Sequence, residues 1–223
     1  MDLGSNMDRQ RRIGLTGGIA TGKSTVSRLL VERFGLPVLD ADTFARQALS
    51  PGSPGAQRVI ERYGQQVVKG GVLDVRAPRG RSPLTVDRAE LGRIVFADEQ
   101  ERRWLERLVH PLVEERFSAE MRCLAESPVV VLMIPLLFET GVQSLCTEIW
   151  LVDCDEQQQL DRLLQRDKLT PEEAHHRIEA QWPLAMKRAL ADVVINNHKS
   201  AKPRIVEEHL ATQVELHLSS QQG

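Results

Sequence analysis

The chain has 223 residues, enough for one domain with appendages or for two small ones. A hydrophobic share of 41% and a charged share of 27% are ordinary for a globular protein, and a formal net charge of −2 argues against nucleic-acid binding as the main task. No apolar run approaches the roughly 20 residues that a membrane helix needs, so no membrane partner is expected.

Residues 1–10 lack the basic-then-apolar pattern of a signal segment and are expected to be disordered. Residues 12–15 read as a short buried strand. Directly after it comes Gly17-Gly18-Ile19-Ala20-Thr21-Gly22-Lys23-Ser24, a complete G-x-x-x-x-G-K-[ST] phosphate-binding loop. Its glycines let the backbone curl so that successive N–H groups point at phosphate oxygens. Lys23 can reach the β- and γ-phosphates, and the Ser24 hydroxyl can take a place on Mg²⁺. Val26, Leu29, Leu30 and Phe34 then recur at helical spacing over 23–34. A helix that starts at the loop turns its positive N-terminal end toward the phosphates. This pattern implies a nucleoside triphosphate as ligand.

A second strand is expected over 36–39, ending in Asp40-Ala41-Asp42. Carboxylates at the carboxyl end of a parallel strand can serve Mg²⁺ or accept a proton from a hydroxyl as a phosphoryl group moves onto it. Asp42 is the favoured base and Asp40 the favoured metal partner; the alternative is that one of them caps a helix running from 43 to 49. Residues 50–55 stop that helix, 56–64 look helical, and 69–83 are rich in Gly, Pro and Arg. The pattern is helical again over 87–125, with a break expected at His110-Pro111. That break suits either a buried, hydrogen-bonded imidazole or a ligand contact.

Residues 129–134 form a continuous apolar run expected to be a central parallel strand. Further strands are expected over 148–153 and 192–196, and helices over 155–166 and from Thr170-Pro171-Glu172-Glu173, a capping-box start. A terminal amphipathic helix ends the chain. Arg162, Arg166, Lys168, Arg177, Lys187 and Arg188 gather around the Thr170 start and could form a lid over transferring phosphate, although single arginines on helices more often face solvent. Alternating strands and helices give an α/β domain with a parallel sheet, and the helical section 43–125 is the place for a substrate-specific subdomain. Cys123, Cys146 and Cys154 form no C-x-x-C pair, which suits reduced thiols in the cytoplasm.

In order along residues 11–200, the loop from Leu15 to Thr25, Leu39-Asp40-Ala41-Asp42, Ser50-Pro51-Gly52, Val109-His110-Pro111-Leu112 and Ile134-Pro135-Leu136-Leu137-Phe138-Glu139 together resemble dephospho-coenzyme A kinase. So do Gln165-Arg166-Asp167, Arg177-Ile178, Gln181, Lys187 and the run from Ala191 to Asn197. The resemblance implies phosphorylation of the ribose 3′-hydroxyl of dephospho-coenzyme A by ATP with Mg²⁺, in a monomer or weak homo-oligomer. It implies a three-layer P-loop kinase core over 11–200 with about five parallel strands, a helical substrate subdomain within 43–125, a lid near 162–188, and a helix and tail over 201–223. By the same resemblance Asp42 is the base, Lys23 the phosphate-binding lysine and Arg166 the lid arginine. Gly18, Ile19, Ala20, Thr21, Gly22, Ser24 and Thr25 would bind the nucleotide, and Asn197 would lie toward its adenine. His110, Leu136, Phe138 and Glu139 would lie near the acceptor.

The chain departs from that pattern in places. Ala20 replaces a common glycine, which is expected to require a negative φ. Met133 replaces an acid, and Asn197-His198 replaces a turn of small residues. The segment 76–86 is longer than usual. A different small-molecule kinase on the same core is the nearest rival reading. A GTP switch would need Asn-Lys-x-Asp and Asp-x-x-Gly motifs, which the sequence lacks.

Overall fold

A computed structural model describes residues 10–69, 84–198 and 203–219. The expectations for residues 1–9 and for most of the 76–86 segment lie outside the described residues. The elements are β1 (Arg11–Gly17), α1 (Lys23–Glu32), β2 (Val38–Asp40), α2 (Ala41–Ala48), α3 (Pro54–Tyr63), α4 (Arg88–Ala97) and α5 (Glu99–Cys123). They continue with β3 (Val129–Met133), β4 (Glu148–Asp153), α6 (Glu156–Asp167), α7 (Pro171–Glu179), α8 (Leu184–Leu190), β5 (Val193–Asn196) and α9 (Pro203–Ser219).

The five strands are parallel and lie in the order β2-β3-β1-β4-β5. The middle strand is therefore β1, which carries the glycine loop, and β3 is interior beside it. The first connection leaves β1 and crosses to the outer strand β2, while β4 and β5 add on the other side. That places a topological switch point at the carboxyl end of β1, where open parallel sheets hold their ligands. Ile13 and Leu15 of β1, Val131 of β3, Trp150 and Val152 of β4 and Ile195 of β5 share one core with Val26, Leu29 and Leu30 of α1 and Leu210 and Val214 of α9. Leu132 and Leu151 alternate with these residues and are equally buried. Burial on both sides is why β3 reads as an unbroken apolar run rather than an alternating one.

Two compact units emerge: residues up to Asp40 together with those from Cys123 onward, and Ala41–Arg122. The second has its own core, in which Ala56, Val59, Val67, Val86, Leu91 and Val95 pack with Trp104, Leu105 and Leu108. Phe44 meets Phe117 edge-on at 5.0 Å. Arg62 links α3 to α5 through both Glu101 oxygens and lies 4.6 Å over the Trp104 ring. Hydrogen bonds from Arg62 and Tyr63 hold the Glu101 carboxyl down at about 2.

The helix break expected at His110-Pro111 is absent. Helix α5 runs through Pro111, and His110 is exposed rather than buried. The interruption falls earlier, at Asp98, whose side chain accepts from Gln100 N–H at 2.7 Å and starts α5 afresh. Helix α2 also begins earlier than expected, at Ala41, so Asp42 sits inside its first turn and not at a cap position.

The candidate phosphate site

The loop after β1 closes on itself. Thr21, fully buried, donates its hydroxyl to Gly18 C=O at 2.9 Å, and Lys23 Nζ donates to Gly17 C=O at 3.0 Å and Gly18 C=O at 2.7 Å. The lysine thus curls back over the loop mouth, with its charge where an anion would sit. Gly22 at the N-cap has no side chain to cap α1, and the first turn of α1 holds no acid, unlike the first turns of α5, α6 and α7. The positive end of the α1 dipole is left for a ligand. Ser24 and Thr25 stand in that first turn, with Ser24 exposed.

Two of the loop residues settle its shape. Gly22 has φ 101, and a Cβ there would meet Asn197 Nδ2 at 2.0 Å, so only glycine fits. Ala20 has φ 60. The expectation of a negative φ at this alanine is wrong. The left-handed basin is open to alanine at a modest penalty, and hydrogen bonds on either side hold it there.

Those hydrogen bonds come from far along the chain. Asn197 Nδ2 donates to Thr21 C=O at 2.7 Å, and its own backbone N–H donates to Asp153 C=O at 2.7 Å. Arg162 on α6 donates to Thr21 C=O at 3.3 Å and to Asn197 C=O at 2.8 Å. On the other half of the loop, Ile19 N–H donates to Gln181 Oε1 at 2.8 Å. Gln159, also buried, approaches Gly18 from α6, and both glutamines line a cavity of about 460 Å³ with Leu160, Ile178, Trp182 and Leu184.

The segment after β3 is tied to the same region. Thr16 Oγ1 donates to Pro135 C=O at 3.2 Å. Phe138 is buried and stacks against Trp182 with planes 8° apart, whereas Leu136 is half-exposed. Glu139 Oε1 accepts from Trp182 N–H at 3.0 Å and lies 2.6 Å from Nζ of Lys187, which has no exposed surface. Glu139 Oε2 has no hydrogen-bond partner among the described residues. Arg188 grips both oxygens of the buried Asp153 at 3.0 and 3.1 Å.

The cations expected around Thr170 therefore divide. Arg162, Lys187 and Arg188 are anchored inward. Arg166 is exposed and pairs with neighbouring Asp167, which also receives Arg177 at 3.0 Å. The Arg166 hydrogen bond holds the Asp167 carboxyl below its usual range. Asn197 lies buried against the phosphate loop as its brace. Asp40 closes β2 level with Met133 on β3, and Met133 packs against the core. Asp42 and His110 belong to the Ala41–Arg122 unit. Gln159, Asp153 and Trp182 escaped the sequence reading. Asp153 could have been found as the acid at the carboxyl end of β4, the same logic that singled out Asp40.

The dephospho-CoA kinase family model matches residues 11–203. A dephospho-CoA kinase from Synechococcus sp. (strain CC9605) is 59% identical over 188 residues, covering 84% of this chain and 85% of that relative. A crystal structure of TT1252 from Thermus thermophilus superposes with a TM-score of 0.75 at 33% identity, covering 96% of this chain and all of the other. Dephospho-CoA kinase from Campylobacter jejuni shares the fold, with a TM-score of 0.64 at 24% identity over 94% of this chain and 97% of its own. The glycine loop after β1, its braces from α6, from the stretch between α7 and α8 and from the residue after β5, and a family match running nearly the length of the chain converge on one conclusion: the chain belongs to the dephospho-CoA kinase family.

Proposed function

We propose that the chain transfers the γ-phosphoryl group of ATP to the ribose 3′-hydroxyl of dephospho-coenzyme A, yielding coenzyme A and ADP. The observation that carries this is the braced phosphate loop at the switch point of a chain with this family match. Lys23 gives up its loop carbonyls to the phosphates, and the N-terminus of α1 adds its dipole. Backbone N–H groups of residues 18–25 cradle the nucleotide, and Asn197 acts by holding that cradle on its adenine side.

Asp42 accepts the ribose hydroxyl proton as the new P–O bond forms, and Arg166 stabilises the charge spread over the transferring group. Leu136, Phe138, Glu139 and His110 serve the acceptor, which the Ala41–Arg122 unit helps to bind, and the lid falls within 162–188. Among the described residues no three acids, histidines or cysteines gather into a metal cluster. The donors here, the Ser24 hydroxyl and the Asp40 carboxylate, fit Mg²⁺, which keeps water and substrate phosphates as its other ligands. When bound, Mg²⁺ neutralises charge on the β- and γ-phosphates. The enzyme acts in the cytoplasm as a monomer or weak homo-oligomer.

The test is ADP release with Mg-ATP and dephospho-coenzyme A against adenosine, AMP and shikimate, in the wild type and Asp42→Asn. Turnover of dephospho-coenzyme A alone is expected, with kcat lowered about 10²–10⁴-fold in Asp42→Asn, the range for losing a general base. Turnover of a different acceptor overturns the substrate assignment, and near-normal kcat in Asp42→Asn overturns the base.

A further inference from the structure

The short stretch between α7 and α8 grips two loops at once. Gln181 takes the Ile19 N–H of the phosphate loop on its side-chain oxygen. Its neighbour Trp182 gives its backbone N–H to Glu139 in the segment after β3, and the Trp182 ring stacks on Phe138. Lys187, buried one helix turn into α8, brings its charge to the same Glu139 oxygen. The two halves of the phosphate loop are held differently. Thr21, in the second half, is fastened by both Asn197 and Arg162, whereas Gln181 reaches the first half at Ile19. The residue next to Ile19 is Ala20, in the left-handed conformation, a state that persists only where surrounding contacts over-determine it.

We infer that Gln181 is a positioning residue for phosphoryl transfer. Its amide oxygen fixes residues 18–20 of the loop in register with the segment that carries Phe138 and Glu139. Remove that acceptor and the first half of the loop relaxes from its strained shape, while Asn197 and Arg162 still hold the second half. Nucleotide binding then survives, but the transferring group loses its placement. This rests on the phosphoryl-transfer reading above.

The decisive variant is Gln181→Met, which keeps length and bulk without an acceptor; Gln181→Glu keeps an acceptor at the same reach. Hydrogen–deuterium exchange on the nucleotide-free proteins reads the loop directly. Gln181→Met is expected to speed amide exchange at residues 18–20 and leave 21–24 unchanged, and Gln181→Glu to restore the protection. In steady-state kinetics Gln181→Met should lower kcat by about 10²-fold, the scale of a misplacement near 1 Å, with KM for ATP changed less than threefold. Unchanged exchange at residues 18–20, or a fall in kcat no larger than the fall in folded fraction, overturns the inference. Absence of turnover in the wild type would instead count against the reaction, since the exchange result does not depend on activity.

Discussion

Ala20 carries a backbone strain that a single atom decides. An L-residue in the left-handed basin loses about 1–2 kcal/mol relative to glycine because its Cβ crowds the next carbonyl. Against this, glycine gives the unfolded chain more freedom, worth about 0.4–1 kcal/mol. With φ 60 at this position the first effect should win narrowly. Ala20→Gly is expected to raise Tm by about 1–3 °C, following the usual scaling for a chain of this size, and Ala20→Val to lower it, since a β-branched side chain tolerates positive φ worst. Thermal melts of the two variants check this, and a lower Tm for Ala20→Gly would show that the strain is not borne by Ala20. Gly22 is the contrasting case. A Cβ there runs into the Asn197 amide, so its constraint is space as well as φ, and no relaxation of the loop alone could relieve it.

Helix α5 shows how an element can override its worst residue. Pro111 has no N–H to give and crowds the carbonyl one turn back, a penalty of about 3 kcal/mol against alanine in a helix interior. The helix nevertheless continues for 25 residues. Asp98 caps its start, and Arg103 with Glu99 and Arg116 with Glu120 pair across successive turns. Phe117 and Met121 beyond the proline are buried and anchor the second half. In the sequence, His110-Pro111 looks like a terminus because proline usually is one, whereas Asp98 lies within a helical periodicity that hides the true break. Because α5 is continuous through Pro111, Pro111→Ala restores the missing hydrogen bond. It should stabilise the protein by about 1–3 kcal/mol, seen as a higher urea midpoint at unchanged slope. No shift in the midpoint would mean that the chain is not helical at this point.

At the scale of the whole molecule, what was legible in the chain is what repeats or sits in a contiguous motif. The phosphate loop, the apolar run of β3, the capping box at Thr170 and the alternation of strand and helix are local patterns, and all are present. What was illegible is pairing over distance. Arg162, Lys187 and Arg188 look in sequence like three more surface cations of a lid, yet each turns inward to a partner on another element. Spacing says nothing about which acid, dozens of residues away, will meet a buried lysine. That pairing has a consequence for stability. Lys187 is fully buried and its charge faces Glu139, whose second oxygen has no hydrogen-bond partner among the described residues. Removing one member of such a pair leaves a buried charge uncompensated and typically costs about 3–5 kcal/mol, whereas removing both charges with shape preserved is nearly neutral. Lys187→Met should therefore lower the denaturation midpoint sharply, and Lys187→Met combined with Glu139→Gln should recover most of the loss, because glutamine still accepts from Trp182 N–H. Calorimetry of the two variants beside wild type decides it. A double variant no more stable than Lys187→Met would mean that Lys187 stabilises the fold by packing its stem, and that its charge contributes nothing.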